Sequence, residues 1–226
     1  MTERNRSKIR QIVRFKALQS DGKVNMGDAS VKSEEQRAHW DQKYEQSMVS
    51  LTKPDPFFLS AYKEFVSDSY PNAGAVLDLA GGIGRHALWL ADKRWQVNVV
   101  DISEVAISRL SQEALQVNLA LDLLALEAAE YKFEPAQFDL IVLFYHFDRT
   151  LYPRIVSALK PGGYLISKTS LQWDSDEIPA TLSIDSLQRN EILSLVPELI
   201  VMHHRERPVG DRGVVEFVGR KSAIAE

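Results

Sequence analysis

The stretch of residues 75–87 constrains the fold more than any other part of the chain. It starts with apolar residues interrupted by Asp78, passes through a glycine-containing turn at residues 80–84, and continues with apolar residues at helical spacing. This order predicts a buried strand, a tight turn and a helix. Gly82 and Gly84 lack the side chains that would keep a ligand away from the main chain, and the first N–H groups of a helix attract anionic groups. We therefore predict a binding site for a nucleotide-like ligand at this turn.

Asp101 follows the next predicted strand, residues 96–100, where α/β folds bind a ribose diol. The glycine spacing of the turn matches the pattern G-x-G-x-x-A of dinucleotide-binding folds, so a nicotinamide-dependent dehydrogenase is one interpretation. Asp78 argues against it, because a dinucleotide fold needs no carboxylate inside its first strand. A buried carboxylate without a partner costs several kcal/mol, so something must pair with Asp78.

Residues 78–87 read D-L-A-G-G-I-G-R-H-A. This run resembles the first motif of the class I S-adenosylmethionine-dependent methyltransferases, D-L-G-C-G-x-G-R-H-A, with Ala80 and Gly81 as the departures. The alanine should make the turn slightly less permissive, and we expect Gly81 to restore the backbone freedom. The resemblance implies that the chain binds S-adenosylmethionine at this turn and that it transfers a methyl group.

Two more segments enter the site through the same resemblance. Glu127 and Ala128 match the positions that hold the adenine in this family. The pattern W-D-x-x-Y from Trp40 to Tyr44 matches a helix that lies over the cofactor in the thiopurine and tellurite-resistance methyltransferases, and a capping box predicts that this helix begins at residue 33. The predicted cofactor-binding residues are Asp78, Ala80, Gly81, Gly82, Gly84, Arg85, Asp101, Ile102, Glu127, Ala128, Phe144, Trp40 and Tyr44.

The predicted strand at residues 138–144 leads directly into the polar and aromatic cluster Y-H-F-D-R. Ligands of open α/β sheets bind at the carboxyl ends of the strands, so this cluster should face the transferred methyl group. His146 is the first candidate to accept a proton from the methyl acceptor, followed by Tyr145 and Asp148, whereas a soft nucleophile needs no base. The resembling enzymes have N-Y-L-H-R-P where this chain has Y-H-F-D-R-T. The acceptor therefore stays open, and a non-catalytic S-adenosylmethionine-binding sensor or scaffold is an alternative.

The rest of the pattern predicts one α/β domain. Helices are predicted from Pro56, Ser103, Leu151 and Asp185, the third ending at residue 160 and the last at Leu195, and strands at residues 121–126, 164–168, 199–204 and 213–218. We expect a single doubly wound, mostly parallel seven-stranded sheet with a C-terminal antiparallel hairpin. The resemblance implies this hairpin and the strand order 3-2-1-4-5-7-6, numbering the predicted strands from residue 75.

Residues 1–16 carry six basic side chains against Glu3 alone, and residues 19–31 are rich in Gly, Ser, Asp and Asn. We interpret residues 1–32 as a basic N-terminal arm and linker, in part disordered, and residues 33–226 as the methyltransferase domain. A basic arm can contact anionic membranes or nucleic acid, or act as a transit peptide, and its role is left open.

Composition limits the remaining classes of function. The absence of cysteine excludes disulfides and thiol nucleophiles, and a net charge of −4 argues against a nucleic-acid substrate. No apolar run approaches the roughly 20 residues of a membrane span, so we expect a cytoplasmic protein. His203 and His204 point to opposite faces of a strand, and we predict no metal site. The expected partner is a small-molecule acceptor, and the sequence leaves the oligomeric state open.

Overall fold

A computed structural model of the protein describes residues 12–15, 27–46, 53–173, 186–210 and 212–223. The strands are β1 (Ile12–Phe15), β2 (Ala75–Leu79), β3 (Gln96–Asp101), β4 (Asp122–Ala125), β5 (Phe138–Phe144), β6 (Leu159–Leu171), β7 (Leu199–Val209) and β8 (Arg212–Lys221). They form an eight-stranded sheet in the order β1-β4-β3-β2-β5-β6-β8-β7. The pairs from β1 to β6 are parallel, and β8 runs antiparallel to both β6 and β7.

The α-helices are α1 (Gly27–Gln46), α2 (Pro56–Ala61), α3 (Arg85–Asp92), α4 (Glu104–Gln116), α5 (Leu151–Ala158) and α6 (Glu191–Leu195). A π-helical turn, Tyr62–Val66, continues α2, and a 3₁₀ turn, Ala128–Glu130, follows β4. Local capping explains two of the helix starts. The Asp55 side chain accepts a hydrogen bond from the Phe57 N–H at the start of α2, and the Ser103 side chain accepts one from the Ala106 N–H at the start of α4.

Successive side chains of a strand point to opposite faces of the sheet, and helices pack on both faces, so both faces are buried. Val76 and Val99 belong to a core shared with α2, α3 and α4. Leu77 and Leu79 belong to a second core shared with α5 and α6. This arrangement is the doubly wound α/β architecture, and the carboxyl ends of β2 to β6 therefore meet along one edge of the sheet.

The structure confirms the predicted architecture. The seven predicted strands occur in the predicted order 3-2-1-4-5-7-6, and β7 with β8 forms the antiparallel hairpin. None of the helices within the described residues is both long and apolar enough to cross a membrane.

Two elements of the structure contain residues that the sequence analysis placed in the N-terminal arm and linker. Residues 12–15 form β1, which pairs in parallel with β4 at the edge of the sheet. The first helix begins at Gly27, so Ser33 lies within it and does not cap it; the Ser33 hydroxyl donates to Glu127 Oε2, at 3.3 Å. Residues 1–11 and 16–26 lie outside the described residues.

Several other predicted bounds differ from the structure, and the largest differences concern α5, β6 and α6. The helix that starts at Leu151 ends at Ala158 instead of residue 160, and β6 begins at the next residue, well before the predicted start at residue 164. The last helix begins at Glu191, because Leu187 instead pairs in an isolated bridge with Leu171. The predicted helix start at Asp185 and most of the pocket-shaping loop predicted at residues 173–181 lie outside the described residues.

Candidate functional site

A cavity of about 470 Å³ opens at the carboxyl ends of the parallel strands, between α1 and the turn that follows β2. This volume lies within the usual range for small-molecule sites. The lining residues that the sequence predicted are Trp40, Tyr44, Asp78, Ala80, Gly81, Gly82, Arg85, Asp101, Ile102, Glu127, Ala128, Phe144, Tyr145 and His146. The lining residues that the sequence analysis missed are Lys43, Ile83, His86, Ser170 and Arg212.

Asp101 ends β3 with its carboxylate held by two backbone groups. Its Oδ2 accepts the Gly82 N–H at 2.7 Å, and its Oδ1 accepts the Ser103 N–H at 2.9 Å. The side chain is almost fully buried, and burial raises its pKa although both N–H groups counteract that shift. Each oxygen keeps a second lone pair, so the carboxylate can still accept hydrogen bonds from a hydroxyl-bearing ligand.

The backbone conformation of the turn after β2 differs from the prediction. Ala80 itself has a left-handed backbone, with φ +54°, whereas Gly81 does not, so Gly81 does not relieve the strain at Ala80. Gly81 is needed for space, because a Cβ there would lie 2.8 Å from Val99 Cγ1. Gly84 has φ +77° and abuts Leu110 of α4, so it turns the chain and lets α3 pack on α4. It is not among the residues that line the cavity, and its assignment as a cofactor-binding residue stays a prediction.

Asp78 is 1% exposed and lies where β2 meets α3. Burial raises its pKa to about 7, while the Arg85 charge and the Ala87 backbone N–H at the start of α3 lower it. Its Oδ2 atom is buried without a hydrogen-bond partner in the described part of the chain. The sequence predicted that Asp78 has a partner, but the described residues satisfy its carboxylate only in part. Asp78 lines the cavity.

Helix α1 covers the glycine turn. The Trp40 and Tyr44 rings stack with centroids 5.9 Å apart, and a Cβ on Gly82 would lie 2.5 Å from the Tyr44 hydroxyl. Asp41 attaches the helix to the start of α4, where its carboxylate accepts from the Ser103 hydroxyl and from the Val105 N–H. Gly82 is therefore the residue that lets this helix close over the turn.

The predicted reaction centre is only partly assembled at the cavity. Tyr145 has a left-handed backbone, with φ +58°, and its hydroxyl donates to Asp55 Oδ2 at 3.2 Å. His146 follows it and also lines the cavity. Asp148 is not among the residues that line it: its carboxylate accepts the N–H and the hydroxyl of Thr150, both at 2.8 Å, and so closes the turn before α5. Its role as a proton acceptor stays a prediction.

A buried ion-pair network lies behind Tyr145, and the sequence analysis did not find it. Lys168 of β6 lies 3.2 Å from both carboxylate oxygens of Asp55 and 3.4 Å from Glu216 of β8. Glu216 in turn accepts from Arg207 of β7, at 2.7 Å. Burial raises the pKa of Asp55 and of Glu216, but nearby positive charges and hydrogen bonds outweigh it, led by Lys168 at Asp55 and by Arg207 at Glu216. Both pKa values therefore lie below the usual range. A single lysine inside a predicted strand was the one signal that the sequence offered for this network.

His86 ties α2 to α3 next to the cavity. Its Nε2 accepts the Asp55 backbone N–H at 3.3 Å, and its ring centroid lies 4.5 Å from that of Phe144. Burial and the neighbouring Arg85 charge lower its pKa to about 3. The imidazole is therefore neutral near pH 7 and holds the loop that carries Asp55.

The strand order, the closing antiparallel hairpin and a carboxylate-bearing glycine turn under a covering helix define the class of fold. The chain has the fold of the class I S-adenosylmethionine-dependent methyltransferases, as its sequence motifs predicted. Residues 76–163 match the family model described as a methyltransferase domain. No curated protein sequence matches the chain significantly.

Solved structures of distant sequence share this fold. The Burkholderia thailandensis 1,6-didemethyltoxoflavin-N1-methyltransferase, solved with S-adenosylhomocysteine, has a TM-score of 0.62 at 16% identity, covering 89% of this chain and 93% of its own. TehB from Haemophilus influenzae has a TM-score of 0.62 at 18% identity, covering 82% of this chain and 67% of its own. The [4+2]-cyclase SpnF has a TM-score of 0.59 at 14% identity, covering 71% and 80%. Because one of these proteins is named as a cyclase, the fold alone does not establish methyl transfer.

Proposed function

We propose that this protein binds S-adenosylmethionine and transfers its methyl group to a small-molecule acceptor. The observation that carries the proposal is that two groups of residues line one cavity. The first is the glycine turn with Asp101, which we call the cradle, and the second is the pair Tyr145 and His146. The cradle and the polar pair follow different strands, and the topology of the sheet brings them together. The cytoplasmic location expected from the sequence stays a prediction.

The cavity fits this cofactor on its own chemistry. Asp101 offers free lone pairs for ribose hydroxyls, and Gly81 and Gly82 of the turn line the cavity beside it. Asp78 offers a buried oxygen that lacks a donor in the described residues, which suits an ammonium group. Glu127, whose pKa is raised by burial, is one of the polar groups next to Ile102 and Ala128. When bound, the cofactor supplies an electrophilic methyl group on a sulfonium.

The protein's own contribution is alignment, exclusion of water and, for some acceptors, removal of a proton. Trp40 and Tyr44 close the cavity over the cradle. His146 is the residue we assign to receive the acceptor's proton, with Tyr145 beside it. His86 cannot take that role near pH 7, because its Nε2 lone pair already accepts the Asp55 N–H and its pKa is lowered to about 3.

A second candidate function is binding of the cofactor without turnover, as a sensor or scaffold. It is favoured by the Tyr145 hydroxyl, which is already engaged with Asp55, and by the existence of a cyclase with this fold. A nicotinamide-dependent dehydrogenase is less well supported, because the antiparallel hairpin of β7 and β8 is typical of methyltransferases and not of dinucleotide folds.

One experiment separates these functions. Native mass spectrometry identifies which of S-adenosylmethionine and a dinucleotide the protein binds, and a panel of thiol, halide, amine and phenol acceptors is then screened for release of S-adenosylhomocysteine. We expect S-adenosylmethionine binding and turnover of at least one acceptor. Binding without any turnover would favour the sensor or scaffold, and binding of a dinucleotide instead would refute the proposal.

The same assay tests the role of His146. If the acceptor must lose a proton, His146→Ala should lower kcat by roughly 10²–10⁴ and leave cofactor affinity unchanged. If the acceptor is a soft nucleophile, the variant should stay within about tenfold of the wild type. Loss of cofactor affinity would instead place His146 in the cofactor site.

A further inference from the structure

The charged residues that line the cavity are divided by sign between its two sides. Three acids, Asp78, Asp101 and Glu127, lie on the side built by β2, β3 and β4. Two arginines line the other side: Arg212 at the start of β8, and Arg85 at the start of α3, whose guanidinium reaches Tyr145 at the end of β5. Lys43 also lines the cavity from α1, with its ammonium 4.2 Å from the Trp40 ring centroid. We call the two sides the acidic half and the arginine half.

Arg85 keeps its hydrogen-bonding capacity in the arginine half. Its guanidinium lies 3.9 Å from Asp55 Oδ2 and 5.6 Å from the Tyr145 ring centroid, with 21% of its side chain exposed. A separation of 3.9 Å is an ion pair but too long for a hydrogen bond. Asp55 makes closer contacts with Lys168, Tyr145 and the Phe57 N–H. Asp55 therefore does not occupy the donors of the Arg85 fork.

The network behind this half balances its own charges. Lys168 and Arg207 carry two positive charges, and Asp55 and Glu216 carry two negative ones. This network therefore does not cancel the charge of Arg85, which also acts on Asp78 and lowers the pKa of that group. Arg212, at the start of β8 and next to the end of β6 in the sheet, adds a second positive charge to the cavity wall.

From this division we propose that the arginine half is an oxyanion site, in which Arg85 and Arg212 take a carboxylate or phosphate group of the methyl acceptor. Planar guanidinium forks bind such groups through two parallel hydrogen bonds, which would also orient the acceptor. The acidic half suits the cationic cofactor, and the opposite half suits an anionic acceptor. Ser170 lines the same half and carries a hydroxyl group, whereas the Tyr145 hydroxyl already donates to Asp55. This inference rests on the proposed function and adds the charge class of the substrate to it.

The test measures binding to the protein saturated with S-adenosylhomocysteine, so that no reaction occurs. Benzoate, phenyl phosphate, benzamide and benzylamine are titrated by calorimetry as ring compounds that differ in charge. We expect benzoate or phenyl phosphate to bind at least about tenfold more tightly than benzamide, and benzylamine to bind most weakly. The two anions separate a carboxylate site from a phosphate site.

Variants locate the preference. Arg85→Gln and Arg212→Gln should each bring the affinities for the anion and for benzamide to within about threefold. Arg220→Gln is the matched control, because Arg220 contacts the Gly162 carbonyl and the Tyr164 ring and does not line the cavity. It should keep the wild-type preference.

Several results would overturn the inference. They are equal or weaker binding of both anions relative to benzamide, no binding of either anion, or a preference that survives both cavity variants. A loss of S-adenosylhomocysteine affinity in Arg85→Gln would assign Arg85 to the cofactor's own carboxylate and also overturn it. Failure of the wild type to bind S-adenosylmethionine or S-adenosylhomocysteine in the first titration would instead count against the proposed function.

Discussion

The two halves of the cavity are built in different ways. In the acidic half, the Asp101 carboxylate accepts from the backbone N–H groups of Gly82 and Ser103, which are 19 and 2 residues away. The arginine half depends on side chains brought together from distant parts of the chain: Asp55 and Lys168 are 113 residues apart. The acidic half also leaves a buried oxygen of Asp78 without a donor in the described residues, whereas the carboxylates behind the arginine half are paired within the protein.

This difference indicates what each half needs from a ligand. A ligand that donates a hydrogen bond to the unpaired Asp78 oxygen should stabilise the acidic half, because a buried acceptor without a donor is costly. A wall whose buried charges already pair with one another is stable without a ligand, but it fails when one partner is removed. The predictions below test this contrast.

The largest effect is expected from Lys168→Met. The substitution leaves Asp55 and Glu216 facing each other without their shared cation, and removing one partner of a buried ion pair costs about 3–5 kcal/mol. Urea-induced unfolding measures this loss. Lys160→Met is the matched control, because Lys160 pairs with Asp139 through a side chain that is 39% exposed, and such pairs contribute about 0–1 kcal/mol. Equal losses in the two variants would mean that the buried network does not support the fold.

The second effect is a pH dependence carried by Asp78. Its pKa is raised from 3.8 to about 7, so the native state holds a proton that the unfolded chain releases between about pH 4 and 7. The free energy of unfolding should therefore fall as the pH rises through this window and level off above it. Between pH 5 and 8 the loss is about 2.6 kcal/mol, at roughly 1.4 kcal/mol for each pH unit between pH 5 and the native pKa.

The comparison of the wild type with Asp78→Asn isolates this contribution. His86, whose pKa is lowered to about 3, has the opposite slope below pH 6.5, but it is present in both proteins and cancels. We expect the wild type to lose stability relative to Asp78→Asn as the pH rises, in denaturant titrations at pH 5, 6, 7 and 8. Saturating S-adenosylmethionine should reduce the difference if its ammonium pairs with Asp78. Parallel curves for the two proteins would show that Asp78 does not carry a buried, unsatisfied charge.

Asp101→Ala tests the acidic half as a cofactor cradle. Charge-assisted hydrogen bonds contribute about 1.5–3 kcal/mol each, so the variant should bind S-adenosylmethionine at least about tenfold more weakly in calorimetry. Asp139→Ala is the control, since Asp139 also accepts a backbone N–H, that of Ala75, but lies near the opposite end of β5. A folded Asp101→Ala protein with unchanged affinity would remove Asp101 from the site.

The same contrast explains how much the sequence predicted. The glycine turn, Asp78 and Asp101 were predicted because a strand, a turn and a helix start within one short segment, so local spacing fixes their geometry. The antiparallel hairpin and the strand order were expected from the resemblance to the methyltransferase family. The residues of the glycine turn are close together in the sequence, and the hairpin and the strand order are common to a whole class of folds.

The arginine half was mostly missed for the opposite reason. Asp55 reads in the sequence as an ordinary N-cap, and Lys168 as a polar residue in a strand. Only the pairing of β6 with β8, which places Lys168 opposite Glu216, turns them into one network. The β1 strand was missed because four residues with a basic flank give no periodicity to distinguish a strand from a tail.

The smallest effect concerns the strain stored in the acidic half. Ala80 has φ +54°, a left-handed conformation that costs a residue with a Cβ about 1 kcal/mol relative to glycine. Ala80→Gly should therefore stabilise the protein, but the more flexible unfolded chain offsets part of the gain, which leaves roughly 0.5 kcal/mol. Chemical denaturation checks this value. S-adenosylmethionine affinity should stay within about twofold, because glycine adopts the same backbone conformation.

Ala136→Gly provides the control for this prediction. Ala136 also has positive φ, at +50°, in the exposed turn before β5, and it does not line the cavity. Both variants should gain stability to a similar extent if local backbone strain is the cause. A gain at Ala136 but a loss at Ala80, together with weaker cofactor binding, would mean that the Ala80 methyl group contacts the ligand. The acidic half would then depend on a side chain at this turn as well as on its backbone.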